Sequence, residues 1–441
     1  MPSAEQLENV RHPESVDYAA VFALKFSAFK PMFSIFKERH LHENTARGQG
    51  FLRFVEREGA ALHDYCVYQV LRNQGKTLDS LEASPLDASA QDAVDFYAYL
   101  QWLAQTQLQE CQETAEDLGM QIGLMRDLAV GADGGGGEVT TNGDLFCRAA
   151  AVGAPPDPLA EKGQNWGLPP MDPAHMRATK FAHFINLLRT NMTYCGALRI
   201  DHAMALMRLW WCPPGKTADF GAYIYYPFPE MLGLLKLESV RNRCMIIGED
   251  MGVVPDEFRE AITAGSVFTN KLFYFEREHD GSFRLPQHYM PRALAMLTNH
   301  DVPTLASWWA TSDLELRNRL NLLDDSVPYE QILDERRTDK FRLLDWLEAA
   351  GVDLPDSKEA LVAAPLSKVL AKKIMVGGAK VASQIFVIQL EDLELMDAPV
   401  NVPGTSTEYP NWQRKLKDTL SEVFADDSVL SMLAEISNTR K

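Results

Sequence analysis

No CxxC pair occurs among the six cysteines, at positions 66, 111, 147, 195, 212 and 244. That spacing excludes a zinc ribbon and argues against a disulfide frame, so reduced thiols are expected. Basic charge is also scarce. The 43 Lys and Arg against 61 Asp and Glu leave a formal charge of −18, which argues against the basic stripe a nucleic-acid partner requires. No apolar run is expected to reach the roughly 18 residues of a membrane helix. The opening MPSAEQLENVRHPESVDY lacks the charged-then-apolar profile of a signal peptide. These absences point to a cytoplasmic protein with no membrane and no nucleic-acid partner, and no internal repeat is visible.

What the chain does contain is core-forming material. Hydrophobic residues make up 46% of its 441 positions, enough for a large α/β barrel with insertions. Apolar residues recur at helical spacing from about 17 to 126. The segment GADGGGGEVTTNGDLF reads as a loop because of its four consecutive glycines. A second helical block is expected over 302–380, and a closing helix from 410 onward.

Between the helical blocks lie six short apolar runs, at 120–130, 196–202, 244–250, 271–276, 293–301 and 384–393. Near-continuous apolar strands alternating with helices indicate a parallel sheet covered on both faces. Four of the six end in acid or in His-Asp: Asp127, Asp201, Glu249, and His300 with Asp301. Polar residues at successive strand ends are how a (β/α)8 barrel builds an active site. Only six of the eight strands are visible, so two are expected to fall upstream of Met1.

The chemistry of those ends can be argued from side-chain direction. Strand residues alternate faces, so Arg199 and Asp201 point the same way, and a nearby guanidinium keeps a carboxylate ionised. Glu249 follows MIIG, an apolar setting that raises a carboxyl pKa. One ionised and one protonated acid form the pair used to cleave a glycosidic bond with retention. His300 and Asp301 are then candidates to grip sugar hydroxyls. Three readings stay open beside this one: a buried Arg–Asp pair holding the core, Glu249 capping the next helix, or the carboxylates binding a metal. Trp166, in the Gly/Pro-rich GQNWGLPP, is a candidate sugar platform on a loop, whereas Trp308 and Trp309 read as packing residues.

The pieces GDLFCRAAAVGAPPDPL, GQNWGLPP, ALRIDH, RLWWCPPG, IIGEDMGVVP, HDVPTLASWW, PVNVPGT and YPNWQRKL occur in this order from about residue 120. Together they resemble the 4-α-glucanotransferase (amylomaltase, or disproportionating enzyme) family, in its bacterial, maltodextrin-metabolising branch. The resemblance implies an α-amylase-type (β/α)8 TIM barrel over 1–441, N-terminally incomplete, with a helical subdomain over 1–119 and a helical insertion over 302–380. It implies Asp201 as nucleophile, Glu249 as acid/base and Asp301 as transition-state stabiliser. Arg199, His300, Asp127, Trp166 and His202 fall among the substrate-binding positions. No metal or organic cofactor is implied, and the substrates are maltodextrins and glucose of glycogen and starch metabolism. Where many members have tryptophan after GGGGEV, this chain has Thr140. An α-glucan hydrolase and an inactive truncated remnant are the alternative functions.

Overall fold

The computed structural model describes residues 2–77, 88–156, 163–324 and 326–441. The chain divides into two compact units, one built mainly of residues up to Gly265 and the other of Ser266 onward.

The first unit begins with helices Ala4–Arg11, Tyr18–Phe36, Ala46–Asn73 and Ala88–Asp117. The first three starts are set by side chains that bond free backbone N–H groups: Ser3 with Gln6 forms a capping box, and Asp17 and Thr45 cap the next two. Apolar residues at three- and four-residue spacing face one another here. Phe33, Phe36, Phe51, Tyr99 and Trp102 form one aromatic cluster, in which the rings of Phe36 and Trp102 lie 5.3 Å apart. Tyr18–His42 is a correction to the sequence reading. By length and composition alone it is long and apolar enough to cross a membrane. Lys25 and Lys30 interrupt the run, which is why it did not register as an unbroken apolar stretch. Phe33 and Phe36 are buried in the cluster, whereas Tyr18, Phe22 and Ile35 are exposed.

Among the described residues seven strands follow in this unit: β1 (Met125–Leu128), β2 (Ala151–Ala154), β3 (Gln164–Leu168), β4 (Ala197–Ile200), β5 (Arg208–Cys212), β6 (Ala222–Tyr225) and β7 (Met245–Gly248). The parallel set runs β1-β4-β7, in a register that sets Asp127 opposite Arg199 and Arg199 opposite Ile247. Gly196 enters β4 so close to the preceding chain that a Cβ there would stand 1.8 Å from the Ile122 carbonyl oxygen. A second, antiparallel sheet, ordered β3-β2-β5-β6, had no clear alternation in the sequence and was not expected. It takes in GQNWGLPP, so Trp166 stands on β3 rather than on a loop. The glycine-rich segment is likewise more ordered than expected. It holds a short helix, Gly137–Thr141, and a 3-10 turn, Gly143–Leu145, pinned by buried Val139 and Leu145. Residues 157–159, the end of GDLFCRAAAVGAPPDPL, lie outside the described residues.

The second unit carries the other three parallel strands, β8 (Phe268–Leu272), β9 (Ala293–Met296) and β10 (Ile385–Val387), in the order β8-β9-β10. β8 starts three residues before the expected run. Phe273 has left the strand for a 3-10 turn, where its ring stacks 4.3 Å from Phe283 and meets Trp346 edge-on. The 384–393 run is only partly strand, since Leu390–Leu393 turns into helix. The helices expected over 302–380 are present, among them Leu305–Ala310, Tyr329–Ala349 and Lys368–Ala379. Trp308 and Trp309 are buried among them as core residues. A bidentate Arg336–Asp313 pair at 2.6 and 2.8 Å is buried beside them. The closing helix begins later than expected, at Asp427, because Asp426 caps it and the stretch from 410 to 419 is irregular. No parallel strand beyond these six occurs among the described residues.

Candidate functional site

Six of the eight singled-out residues fall together in the first unit, at the C-terminal ends of its parallel strands and on the neighbouring sheet. Arg199 is almost fully buried on β4. Its Nη1 donates to both oxygens of Asp127, at 2.9 and 2.8 Å, and to Oδ1 of Asp201 at 3.1 Å. The two aspartates keep about two fifths of their side chains accessible, 42% and 36%. One buried cation therefore holds two partly open carboxylates. The register makes this contact: β1 and β4 place Asp127 beside Arg199, and strand alternation points Asp201 the same way.

Glu249 lies just past β7 and is 5% exposed. Its Oε2 accepts the backbone N–H of His202 at 2.9 Å, and Oε1 accepts that of Met251 at 2.5 Å. Burial pushes the carboxyl up to about 7, and the nearby Asp201 charge adds to the rise, while Met251, Arg199 and the His202 N–H pull against it. The helix that Glu249 was alternatively read as capping starts seven residues later, at Asp256. Both carboxylate oxygens serve the turn after Asp201 and their own loop instead.

That turn is unusual. His202 has φ +46°, a left-handed conformation that a residue with a Cβ seldom adopts. It lets the chain pass Asp201 and return, so that the His202 N–H reaches the Glu249 carboxylate and the Ala203 N–H reaches the Glu249 carbonyl at 2.9 Å. Loss of solvation pulls the imidazole down to about 4, so it is neutral at pH 7. The ring meets Trp166 edge-on, 5.5 Å between centroids, and the Trp166 indole N–H donates to Gln164 Oε1 at 3.3 Å. Three acids, a neutral imidazole, an indole and a clamped arginine thus share one end of the unit.

The remaining two residues form a separate cluster in the second unit. His300 Nε2 and Asp301 Oδ2 are 3.2 Å apart. Asn401 donates to Asp301 Oδ1 at 2.9 Å, and the Asp301 N–H donates to Asn299 Oδ1 at 2.9 Å. The Trp412 ring lies 5.3 Å from that of His300. Asn299, Asn401 and Trp412 were not singled out from the sequence. The latter two stand inside PVNVPGT and YPNWQRKL, the signal that could have found them.

No group of three His, Cys, Asp or Glu side chains is placed to hold a metal ion among the described residues. A groove of about 670 Å³ in the first unit, lined by Tyr65, Asn142, His175 and Asn186, contains none of these candidate residues. Its His183 Nε2 and Glu138 Oε1 are 2.8 Å apart, with both side chains partly exposed.

Residues 2–421 match the family model described as 4-alpha-glucanotransferase. A 4-alpha-glucanotransferase of Haemophilus influenzae is 36% identical over 98% of this chain and 64% of its own length. One from Mycobacterium tuberculosis is 30% identical over 94% of this chain and 58% of its own length. The crystal structure of amylomaltase from Corynebacterium glutamicum superposes with a TM-score of 0.85 at 27% identity, covering 97% of this chain and 60% of that one. The chain thus spans less than two thirds of the length of these relatives. The fold is that of amylomaltase, an α/β barrel fold, and the described residues hold six parallel strands of it.

Proposed function

Because this chain belongs to the 4-alpha-glucanotransferase family, we propose that it transfers a segment of α-1,4-glucan to the 4-hydroxyl of an acceptor glucan or glucose. The reaction is a double displacement with retention. The observation that carries this reading is the pairing of two unlike acids: Asp201, partly open and held by Arg199, and Glu249, buried and pushed up to about 7.

In the first step Asp201 attacks the anomeric carbon while Glu249, protonated below about pH 7, gives its proton to the leaving oxygen. The acceptor hydroxyl then loses its proton to Glu249 and displaces Asp201. The pull of His202 and Met251 N–H groups on the Glu249 carboxylate stabilises its charged form in the second step. Asp127 and Trp166 are assigned to glucose contacts, with Arg199 and His202 beside them. Asp301 is assigned to stabilise the oxocarbenium-like transition state, with His300 on a neighbouring hydroxyl. The donors are maltodextrins, no cofactor takes part, and the six unbridged cysteines support a cytoplasmic setting.

Incubating the purified chain with maltotriose tests this. Glucose plus a ladder of longer maltodextrins is expected. Glucose and maltose without longer products means hydrolysis, and no turnover means an inactive remnant. Asp201→Asn is expected to abolish the ladder while leaving the unfolding transition nearly in place, since the side chain is 36% exposed. Activity that survives this change refutes the nucleophile assignment.

A further inference from the structure

The strands that carry Asp201 and Glu249 at their C-terminal ends each begin beside a cysteine. Cys195 stands two residues before β4, and Cys244 immediately before β7. Because β4 and β7 are parallel neighbours with Ala197 opposite Met245, the two thiols meet at the start of the pair. Their sulfurs are 3.8 Å apart, and both residues are buried, at 6% and 2% exposure. They are not bridged.

We propose that Cys195 and Cys244 form a peroxide-sensitive dithiol that closes to an intramolecular disulfide, tying the starts of β4 and β7 together. This rests on the thiol pair alone and stands apart from the catalytic reading.

The surroundings suit the chemistry. A disulfide needs its sulfurs about 2.05 Å apart and its Cα atoms about 4.4–6.8 Å apart. The two sulfurs start 3.8 Å apart, so a small adjustment of the side chains is what closure requires. The Cys244 backbone is fixed by Ser239: the Cys244 N–H donates to the Ser239 carbonyl at 3.0 Å, and the Ser239 hydroxyl donates to the Cys244 carbonyl at 2.6 Å. Cys195 makes a weak bond to the Asn191 carbonyl, at 3.3 Å. Cys195 is the more acidic thiol: the bond with Cys244 stabilises its thiolate, burial opposes that, and the Arg126 guanidinium on β1 favours it.

Cys195 is therefore the attacking group. Its thiolate takes one oxygen of hydrogen peroxide, the O–O bond breaks, and hydroxide leaves and is protonated. The resulting sulfenic acid is attacked by the Cys244 sulfur. The S–O bond breaks, water leaves and the S–S bond forms. Two thiols and one peroxide become one disulfide and two waters, and a dithiol reductant reverses the change.

The test treats the native full chain with hydrogen peroxide, then alkylates it under denaturing conditions and maps its peptides. Titratable thiols are expected to fall from the six in the sequence to four, with a Cys195–Cys244 linked peptide that dithiothreitol abolishes. In Cys244→Ser, dimedone is expected to label Cys195 as a sulfenic acid. Six remaining thiols, a linkage that bypasses this pair, or an unlabelled Cys195 in the variant each overturn the proposal.

Discussion

The buried Glu249 makes a quantitative demand on stability. Its carboxyl titrates near 7 in the folded chain, against a reference value of 4.5. An acid whose folded pKa lies above its unfolded value holds its proton more tightly when folded. Its contribution to stability is therefore greatest below pH 4.5, falls as pH rises through the window from 4.5 to 7, and stays low above it. The gap corresponds to about 3 kcal/mol in full, of which about 2 to 3 kcal/mol falls between pH 5 and pH 8. Because Glu249 is only 5% exposed, solvent screening removes little of this. Glu249→Gln deletes the titration while keeping the shape. The amide has a single acceptor oxygen for the His202 and Met251 N–H groups, so the variant loses about 1 kcal/mol at pH 5. Above pH 7 it gains relative to the wild type, which must there bury a charge. Urea unfolding of both proteins at pH 5 and pH 8 measures the difference of differences, expected at about 2 to 3 kcal/mol in favour of the variant at the higher pH. Parallel pH dependences for the two proteins would refute the account of Glu249 as a desolvated acid.

The same group shapes catalysis. If Glu249 is the proton donor, kcat/KM for maltotriose falls as pH rises through about 7, and a profile flat from 6 to 8 rejects that role. Arg199→Met leaves Asp127 and Asp201 facing each other without their shared cation. Their partial exposure limits the stability loss to about 1–2 kcal/mol, but mispositioning the nucleophile lowers kcat/KM by more than about tenfold, read by initial rates beside urea melts. Asp313→Asn strands the buried Arg336 guanidinium and is expected to cost about 3 kcal/mol, seen as a lower urea midpoint.

Sequence and structure divided the work along a physical line. Strand-core hydrophobicity is local, so all six apolar runs could be found, and the acids closing them could be named. Alternation put Arg199 and Asp201 on one face, and the apolar MIIG before Glu249 anticipated its raised pKa. Where tertiary contacts override local pattern, the sequence was silent. The antiparallel sheet under Trp166 depends on partners as distant as Arg208–Cys212. Phe273 leaves its strand because Phe283 and Trp346 offer it a better place. Asn401 joins Asp301 across 100 residues of chain, and no spacing rule reaches that far.

The carboxylates themselves were legible because their chemistry belongs to residue type and strand position. Only the folded chain decided how they are held. Arg199 bonds Asp127 as well as Asp201 because β1 and β4 are neighbours. Glu249 is bound to the turn after Asp201 because His202 adopts a left-handed backbone that nothing in RIDH announces. The meeting of Cys195 with Cys244 is of the same kind, two unremarkable residues made a pair by strand register. Composition and periodicity act over a few residues, whereas register joins residues that the sequence keeps far apart.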